Sequence, residues 1–203
     1  MNIPPKQVTL VMTGASGVQY GLGLLKALVE ANINVYLLLS RPARIVINSE
    51  TDIKIPSRAS EIQQFFNELY KAKEGQIQVF EKEQWMAPVA SGTGVADAMV
   101  ICPCTTGTLA AASAGLCRTL IERSIDVTLK ERKKLIVVLR ETPLSDIHLE
   151  NMLKLSKMGA IMMPANPAYY QMPKTLQDIE NFMVGRILDH LNVRHKFYEP
   201  WGE

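Results

Sequence analysis

Residues 8–17 read VTLVMTGASG, a short apolar run that ends in a glycine-containing loop. A continuous apolar run of this length predicts a buried strand. Apolar residues at positions 18, 22, 25, 28 and 29 then recur at helical spacing. Backbone N–H groups and the dipole at the start of such a helix favour an anion, so the loop at residues 14–17 predicts a phosphate site. A plain tight turn is the alternative.

The rest of the chain continues this alternation of strand and helix. Further strands are predicted at residues 34–39, 77–80, 98–101, 135–139 and 160–163. Further helices are predicted at residues 42–48, 60–73, 109–114, 118–132, 146–157 and 175–191. Apolar strands separated by helices predict a parallel sheet covered on both faces. The expected fold is therefore α/β, a three-layer Rossmann-like (flavodoxin-like) domain over residues 1–203, with residues 192–203 as a C-terminal arm.

The composition fits one soluble domain that has no strong overall electrostatic field. Of 203 residues, 47% are hydrophobic and 21% are charged, and the net charge is +2. Neither nucleic acid nor a membrane surface is expected as a partner at this charge. The N-terminal residues contain no apolar segment long enough to span a bilayer. Three cysteines, two of them in an apolar segment, argue against a disulfide framework and favour a cytoplasmic location.

A second anion site is predicted at residues 105–108, Thr-Thr-Gly-Thr, between the strand at residues 98–101 and a helix. Three hydroxyls and a glycine at a helix start can donate several hydrogen bonds to one phosphate, whereas a simple N-cap needs only one of them. Ser40 ends the second strand where a nicotinamide dinucleotide site favours an acid. Cys102 and Cys104 are too close in sequence for the usual zinc spacing, so no metal is expected.

Four cations are candidates for a further anion site. Arg123 and Lys130 lie about two turns apart on one predicted helix, where a solvated basic stripe is the alternative. Arg186 falls within the apolar arc of the last helix and Arg140 ends a buried strand, so each needs an anionic partner or water. Glu141, next to Arg140, fits a structural ion pair and an acid/base group equally well.

Three aromatic residues lie in predicted loops next to strands or in the C-terminal tail. Tyr170 follows the last strand, Trp85 lies before the strand at residues 98–101, and Trp201 lies in the tail. A tyrosine hydroxyl can reach a phosphate, and aromatic faces can hold a flat ring or stabilise a cation. Ordinary packing is the alternative for each.

Taken together, these segments resemble the UbiX-type flavin prenyltransferases, a branch of the flavin-binding, decarboxylase-like Rossmann family. The resemblance runs over nearly the whole chain and includes residues 49–52, 90–92, 126–132, 140–144 and 167–170. It implies an enzyme that transfers a dimethylallyl group from dimethylallyl phosphate to N5 of reduced FMN and closes a fourth ring at C6, without a metal. It also implies a dodecamer built of trimers. The product would serve a UbiD-type decarboxylase, in ubiquinone biosynthesis or aromatic acid breakdown.

The resemblance further implies roles for individual residues. The residues that match cofactor contacts are Gly14, Ala15, Ser16, Ser40, Thr105, Thr106, Gly107, Thr108 and Arg140. Those that match the prenyl-phosphate site, partly across a subunit boundary, are Tyr170, Arg186, Lys130, Arg123 and Glu50, with Trp85 and Trp201 as nearby aromatics. Glu141 and Ser16 match groups that handle protons.

Two other classes stay open beside this resemblance. One is an FMN-dependent decarboxylase of the same fold, which uses a histidine base and an asparagine–methionine signature that this sequence does not show. The other is a non-catalytic flavin-binding protein, which would need no second phosphate site. The chain also departs from the family pattern, because Gly107 stands where many members have lysine and residues 117–119 replace a stretch that commonly contains Asn or Asp. The departures affect flavin contacts rather than the phosphate cluster.

Overall fold

The computed structural model describes residues 3–199 and 202, whose strands form one parallel sheet. These strands are β1 (Gln7–Met12), β2 (Asn34–Leu39), β3 (Ile77–Val79), β4 (Ala98–Cys104), β5 (Lys134–Leu139) and β6 (Ile161–Met162). Their order across the sheet is β3-β2-β1-β4-β5-β6, and every neighbouring pair is parallel. The predicted α/β class is confirmed, and the strand order is that of the Rossmann fold.

The strand order reverses direction between β1 and β4, at the centre of the sheet. From β1 the chain proceeds outward to β2 and β3 on one side, then returns to β4, β5 and β6 on the other. Loops that leave the two central strands diverge at this point and open a crevice at the carboxyl edge. The loops after β1 and β4 are the two that were predicted to hold anions, so the topology places them side by side.

Two layers of helices cover the sheet. The helices in the described residues are α1 (Val18–Glu30), α2 (Arg41–Glu50), α3 (Ala59–Tyr70), α4 (Thr106–Ser113), α5 (Leu120–Lys130), α6 (Asp146–Lys157) and α7 (Leu176–Leu191). One hydrophobic core joins α1, α2, α3 and α7 to one face of the sheet, and a second joins α4, α5 and α6 to the other. Because both faces are buried, β4 is buried along its whole length and β5 is buried and apolar after Lys134.

Element boundaries follow the predictions closely, and the differences have local causes. The bounds of β2 and α6 are those predicted. Helix α4 begins at Thr106, three residues earlier than predicted, because the Thr105 hydroxyl caps it by accepting a hydrogen bond from Thr108 N at 3.2 Å. Strand β4 extends past its predicted end because Cys104 pairs with Leu139 of β5.

The segment predicted as a C-terminal arm folds back along α7 as far as it is described. Asn192 ends α7 in a left-handed conformation, with φ of 59°, and turns the chain. Val193 is buried in the core that holds α7, and Phe197 and Tyr198 pack against that core. Residues 193–199 therefore belong to the face of the sheet that carries α1 and α7.

Candidate functional site

A buried threonine joins the two central loops. Thr13 Oγ1 donates a hydrogen bond to Pro103 O at 2.8 Å and accepts one from Thr105 N at 2.8 Å. Thr13 N also donates to Pro103 O, at 3.1 Å. These three hydrogen bonds fix the end of β1 against the end of β4 and so set the distance between the loops.

Both central loops present backbone N–H groups that have no protein partner. The N–H groups of Gly14, Ala15 and Ser16 make no hydrogen bond within residues 3–199 and 202, and neither do those of Thr106 and Gly107. Consecutive free donors next to the positive ends of α1 and α4 attract negatively charged groups. Each loop can therefore hold an anion such as a phosphate.

A third loop, at the end of β2, closes against the first. Ser40 Oγ caps α2 by accepting a hydrogen bond from Ala43 N at 3.1 Å. A Cβ atom on Gly14 would lie only 2.3 Å from Pro42 Cβ, so only glycine lets the first loop approach α2 this closely. The hydroxyls of Ser40 and Thr105 thus both cap helices. For Thr105, this is the N-cap role that the sequence analysis gave as the alternative to a phosphate contact.

The three loops enclose a cavity of about 490 Å³ at the carboxyl edge of the sheet. Cavities of roughly 300–1,000 Å³ typically hold cofactors and other small ligands. The lining residues are Thr13, Gly14, Leu39, Ser40, Arg41, Pro42, Lys82, Thr105, Gly107, Thr108, Arg118, Thr119, Ile121 and Glu122. Five predicted cofactor residues are therefore brought together here: Gly14, Ser40, Thr105, Gly107 and Thr108.

Three cations line this cavity that the sequence analysis did not single out. They are Arg41, directly after Ser40, together with Lys82 and Arg118. Arg118 is paired with Glu122, donating from NH2 to Oε1 at 2.9 Å and from its backbone N to Oε2 at 2.6 Å. Burial of Glu122 opposes ionisation, but the hydrogen bonds from Arg118 outweigh it and hold the pKa of Glu122 below its ordinary value. Three cations against one carboxylate make the cavity attractive to an anion.

Arg140 connects the end of β5 to the first loop. Its Nε donates to Ser16 O at 3.1 Å, and its backbone N donates to Cys104 O at 3.2 Å. The exposed Glu141 carboxylate accepts a hydrogen bond from Thr142 N at 3.1 Å. No ion pair joins Arg140 to Glu141 in the part of the chain that the structure describes. The ion-pair alternative for Glu141 therefore has no support, and its carboxylate is accessible at the carboxyl edge.

Glu50 reaches the first loop from the end of α2. Its Oε2 accepts a hydrogen bond from Gly17 N at 2.9 Å, and its backbone O accepts one from Gln19 Nε2 at 3.2 Å. A carboxylate is favoured at the positive end of α1. Glu50 thus occupies one donor of the first loop and leaves the three preceding N–H groups free.

Arg123 and Lys130 lie on α5, beside the short 3-10 turn at Pro88–Ala90. Arg123 donates from Nε to Ala90 O at 3.1 Å and from NH1 to Asp126 Oδ2 at 2.8 Å. Lys130 Nζ donates to the Glu131 carboxylate. Both cations already have a carboxylate partner in their own helix or next to it, yet both side chains remain partly exposed.

Tyr170, in the segment before α7, contacts this helix about one turn before Arg186. Tyr170 packs edge-on against Phe182, with ring centroids 5.7 Å apart. Arg186, one turn beyond Phe182, donates from NH1 to Asp189 Oδ2 at 2.8 Å. The position of Arg186 in an apolar arc predicted a need for an anionic partner, and Asp189 supplies it from the next turn of the same helix.

The structure does not test the roles predicted for the two tryptophans. Trp85 is partly exposed, in the loop between β3 and the turn at Pro88–Ala90. Trp201 lies outside the described residues. Their roles next to a bound ring stay predictions.

Sequence comparison identifies the relatives of this chain. The Flavoprotein family model matches residues 1–188. The flavin prenyltransferase UbiX of Pseudomonas aeruginosa is 50% identical over 199 residues, which cover 98% of this chain and 95% of the relative. The chain belongs to the UbiX flavin prenyltransferase family. The resemblance inferred from the motifs is confirmed.

Solved structures of other UbiX-type proteins share this fold. AnUbiX (PadA1), in complex with FMN and dimethylallyl pyrophosphate, aligns with a TM-score of 0.85 at 37% identity, over 97% of both chains. A dodecameric FMN-dependent UbiX-like decarboxylase from Escherichia coli O157:H7 aligns with a TM-score of 0.84 at 37% identity, over 97% of this chain and 100% of that chain.

Within one chain of this UbiX family member, the candidate residues form three separate clusters. The cofactor loops surround the cavity, Arg123 and Lys130 lie on α5, and Tyr170 and Arg186 lie along α7. Because α5 and α7 cover opposite faces of the sheet, the cations of α5 do not meet Arg186 in the same chain. The expectation that four cations assemble one anion site is therefore not met within a single chain.

The thiols form no group of metal-binding type within the residues that the structure describes. Within residues 3–199 and 202, no three His, Cys, Asp or Glu side chains are grouped closely enough to hold a metal ion. Cys102 and Cys104 are buried, and burial raises the pKa of Cys104 to about 12, so this thiol stays protonated. Among the helices described, none has the length and apolar character needed to cross a membrane.

Replacing Thr13 by valine is expected to lower the free energy of unfolding by about 1–3 kcal/mol, because Thr105 N loses its acceptor in a partly buried place. Urea unfolding followed by circular dichroism measures the difference. Thr9→Val is the matched control, since Thr9 is buried in β1, the strand that Thr13 directly follows, and its hydroxyl makes no hydrogen bond within the described residues. Equal stabilities of the two variants would show that the Thr13 bridge contributes nothing.

Proposed function

We infer that this chain is a flavin prenyltransferase that transfers a dimethylallyl group from dimethylallyl phosphate to reduced FMN. The observation that carries this inference is the cavity at the carboxyl edge, between the loops that follow β1 and β4. Free backbone donors lie in these loops, and three cations line the cavity. Family membership at 50% identity supports the reaction type. The FMN and dimethylallyl pyrophosphate bound to AnUbiX support the two substrates.

The residues of the cavity fit FMN. Its phosphate is an anion, and the N–H groups of residues 14–16 or of residues 106 and 107 offer it donors that no protein group uses. Arg41, Lys82 and Arg118 add positive charge to the same walls. Reduced FMN, when bound, supplies the nucleophilic ring atoms that take the prenyl group. We propose that Ala15, Ser16, Thr106 and Arg140 complete the contacts made by the lining residues.

The departing phosphate of the prenyl donor needs its own cations. We propose that Tyr170 and Arg186 bind it, with Arg123, Lys130 and Glu50 completing the site and Trp85 and Trp201 sheltering the apolar end. Arginine and lysine N–H groups aimed at a developing anion stabilise the transition state, and each such donor is worth about 3 kcal/mol. The partial exposure of Arg123, Lys130 and Arg186 leaves part of each side chain accessible to an incoming phosphate.

More than one copy of the chain is required for this site. Arg123 and Lys130 lie on the face opposite Arg186, so a neighbouring copy has to bring its α5 to the α7 of the first. We propose a homo-oligomer, a dodecamer built of trimers, in which each site is shared. The dodecameric UbiX-like relative from Escherichia coli O157:H7 supports this arrangement.

Two groups are proposed to handle protons. The exposed Glu141 carboxylate, oriented by Thr142 N, accepts the ring proton released when the second bond to the prenyl group forms, and a proton is returned to the other carbon of the prenyl double bond, so that the step balances. Ser16 lies in the first loop and its backbone O is held by Arg140 Nε, which fixes the loop next to the end of β5. We propose that the Ser16 hydroxyl assists this proton transfer.

The wider setting of the reaction is also a proposal. We propose that residues 1–203 act as a single flavoprotein domain in the cytoplasm, and that the product passes to a UbiD-type decarboxylase, in ubiquinone biosynthesis or aromatic acid breakdown. The free thiols, one of them the exposed Cys117, suit a reducing compartment.

A direct assay tests the proposed function. Anaerobic incubation with reduced FMN and dimethylallyl phosphate is expected to yield a flavin whose mass rises by one dimethylallyl unit, measured by mass spectrometry together with the absorption spectrum. A parallel reaction with the pyrophosphate identifies the preferred donor, and omission of the reductant is the control.

The alternatives give different results in the same assay. A flavin-dependent decarboxylase would leave the flavin mass unchanged and release carbon dioxide from a cysteinyl peptide. A carrier protein would bind FMN and convert neither substrate. Either result would refute the prenyl transfer.

A further inference from the structure

One carboxylate on α7 gathers three hydrogen-bond donors. Asp189 Oδ2 accepts from Arg186 NH1 at 2.8 Å and from Tyr198 OH at 2.5 Å, and Asp189 Oδ1 lies 3.0 Å from His195 Nε2. Arg186 is one turn earlier on α7, whereas His195 and Tyr198 belong to the segment that follows the helix. The carboxylate therefore ties the guanidinium to the C-terminal segment, and these four residues are called the Asp189 cluster.

A glycine makes room for this cluster. A Cβ atom on Gly185 would lie 2.4 Å from Tyr198 Cε1 and 3.0 Å from His195 Cε1. The Tyr198 ring also packs against Phe182, with centroids 5.5 Å apart, and Phe182 in turn contacts Tyr170. The segment at residues 193–199 thus docks on the part of α7 that carries Arg186 and that Tyr170 contacts through Phe182.

The charges of the cluster favour this docking. Partial burial opposes ionisation of Asp189, but hydrogen bonds from Tyr198 and His195 and the charge of Arg186 outweigh it and lower the pKa of this carboxyl. Burial and the neighbouring carboxylate raise the pKa of Tyr198, which keeps its hydroxyl as a donor. A guanidinium has five N–H donors, and the Arg186 side chain is 43% exposed, so donors remain for a further anion.

We propose that Asp189 is a positioning residue, which holds the Arg186 guanidinium in the orientation that meets the prenyl phosphate and is itself fixed by the docked segment at residues 193–199. The proposal rests on the function proposed above for Arg186. Its physical basis is that a guanidinium already oriented by a carboxylate loses less side-chain freedom when a phosphate binds. Docking of the C-terminal segment on α7 then orients the Arg186 guanidinium at the same time.

The test measures phosphate binding without requiring turnover. Calorimetric titration of FMN-loaded protein with dimethylallyl phosphate, and separately with inorganic phosphate, is carried out on the wild type, Asp189→Asn and Gly185→Ala. In each variant we expect the Kd of both phosphates to rise about tenfold, or about 1.4 kcal/mol, while the Kd of FMN stays unchanged. Because both changes break one unit, the double variant should lose little more than either single variant.

A structural carboxylate elsewhere serves as the control. Asp97 accepts hydrogen bonds from Lys6 N at 2.8 Å and Gln7 N at 3.2 Å at the start of β1, and neither partner belongs to the Asp189 cluster. Asp97→Asn should lower stability without changing either phosphate affinity. Tyr198→Phe, which removes only the hydroxyl and keeps the ring over Gly185, serves if Asp189→Asn does not fold.

The possible results separate this inference from the proposed function. Unchanged phosphate affinity in the folded variants overturns the positioning role, and so does tighter binding by Asp189→Asn, which would make Asp189 a competing counter-ion. If the wild type binds dimethylallyl phosphate but forms no prenylated flavin, the proposed function fails while a weakened Asp189→Asn still supports the inference. A wild type that binds neither phosphate overturns both.

Discussion

The Glu141→Gln variant is expected to bind FMN as tightly as the wild type while forming product about 10²–10⁴ times more slowly. Glutamine keeps the size of the side chain and an oxygen that can accept from Thr142 N, so the end of β5 should keep its structure. It cannot take up a proton near neutral pH. The reaction should therefore stop after the first of the two bonds, before the ring closes.

Rapid quenching and mass spectrometry of the flavin follow the product of Glu141→Gln, and fluorescence titration measures its FMN affinity. Glu150→Gln is the matched control, because Glu150 is an exposed glutamate on the neighbouring helix α6 and should leave turnover unchanged. Normal turnover by Glu141→Gln would remove Glu141 from the proton transfer.

The Gly14→Ala variant is expected to lose roughly 5- to 150-fold in FMN affinity. The new Cβ atom would lie 2.3 Å from Pro42 Cβ, in a rigid ring next to the backbone, so either the first loop or the start of α2 has to move. Overpacking of this kind costs about 1–3 kcal/mol, and both displaced elements line the cavity. The loss is measured by the quenching of FMN fluorescence.

Gly107→Ala provides the same substitution in the same cavity with a smaller expected effect. A Cβ atom at Gly107 meets no protein atom within 4 Å, so no loop has to move and any loss of FMN affinity, which comes from contact with the ligand alone, should be smaller than in Gly14→Ala. Equal losses in both variants, or none in Gly14→Ala, would show that the packing of Gly14 on Pro42 does not shape the FMN site.

The local parts of the fold could be predicted from the sequence because they depend on neighbouring residues. Apolar runs and turn residues placed the central strands, and the parallel sheet followed from the helices between them. The loops at residues 13–17 and 105–108 each follow a strand of a parallel sheet, so their position at one sheet edge was predictable, whereas the pairing of β1 with β4 that makes them neighbours was not. The boundary of α4 was misplaced because its cap, Thr105, was interpreted as part of a ligand loop.

The tertiary parts of the site could not be predicted in this way. Lys82 and Arg118 reach the cavity from loops whose course depends on the packing of distant segments, and no local pattern marks them. The separation of Arg123 from Arg186 follows from which face each helix covers, which spacing along a helix does not reveal. The pairing of Arg186 with Asp189 at i and i+3 was visible in the sequence, but the return of Tyr198 to the same carboxylate was not.

The hydroxyl caps of Ser40 and Thr105 and the Thr13 bridge have a consequence for how a ligand enters. Since these groups are satisfied by the protein's own backbone, we expect the cavity wall to be formed before the ligand binds. Little loop entropy is then lost on association, and the cost of binding falls mainly on stripping water from the exposed amides and from the ligand. We therefore expect the loops of this wall to keep the same conformation with and without a bound ligand.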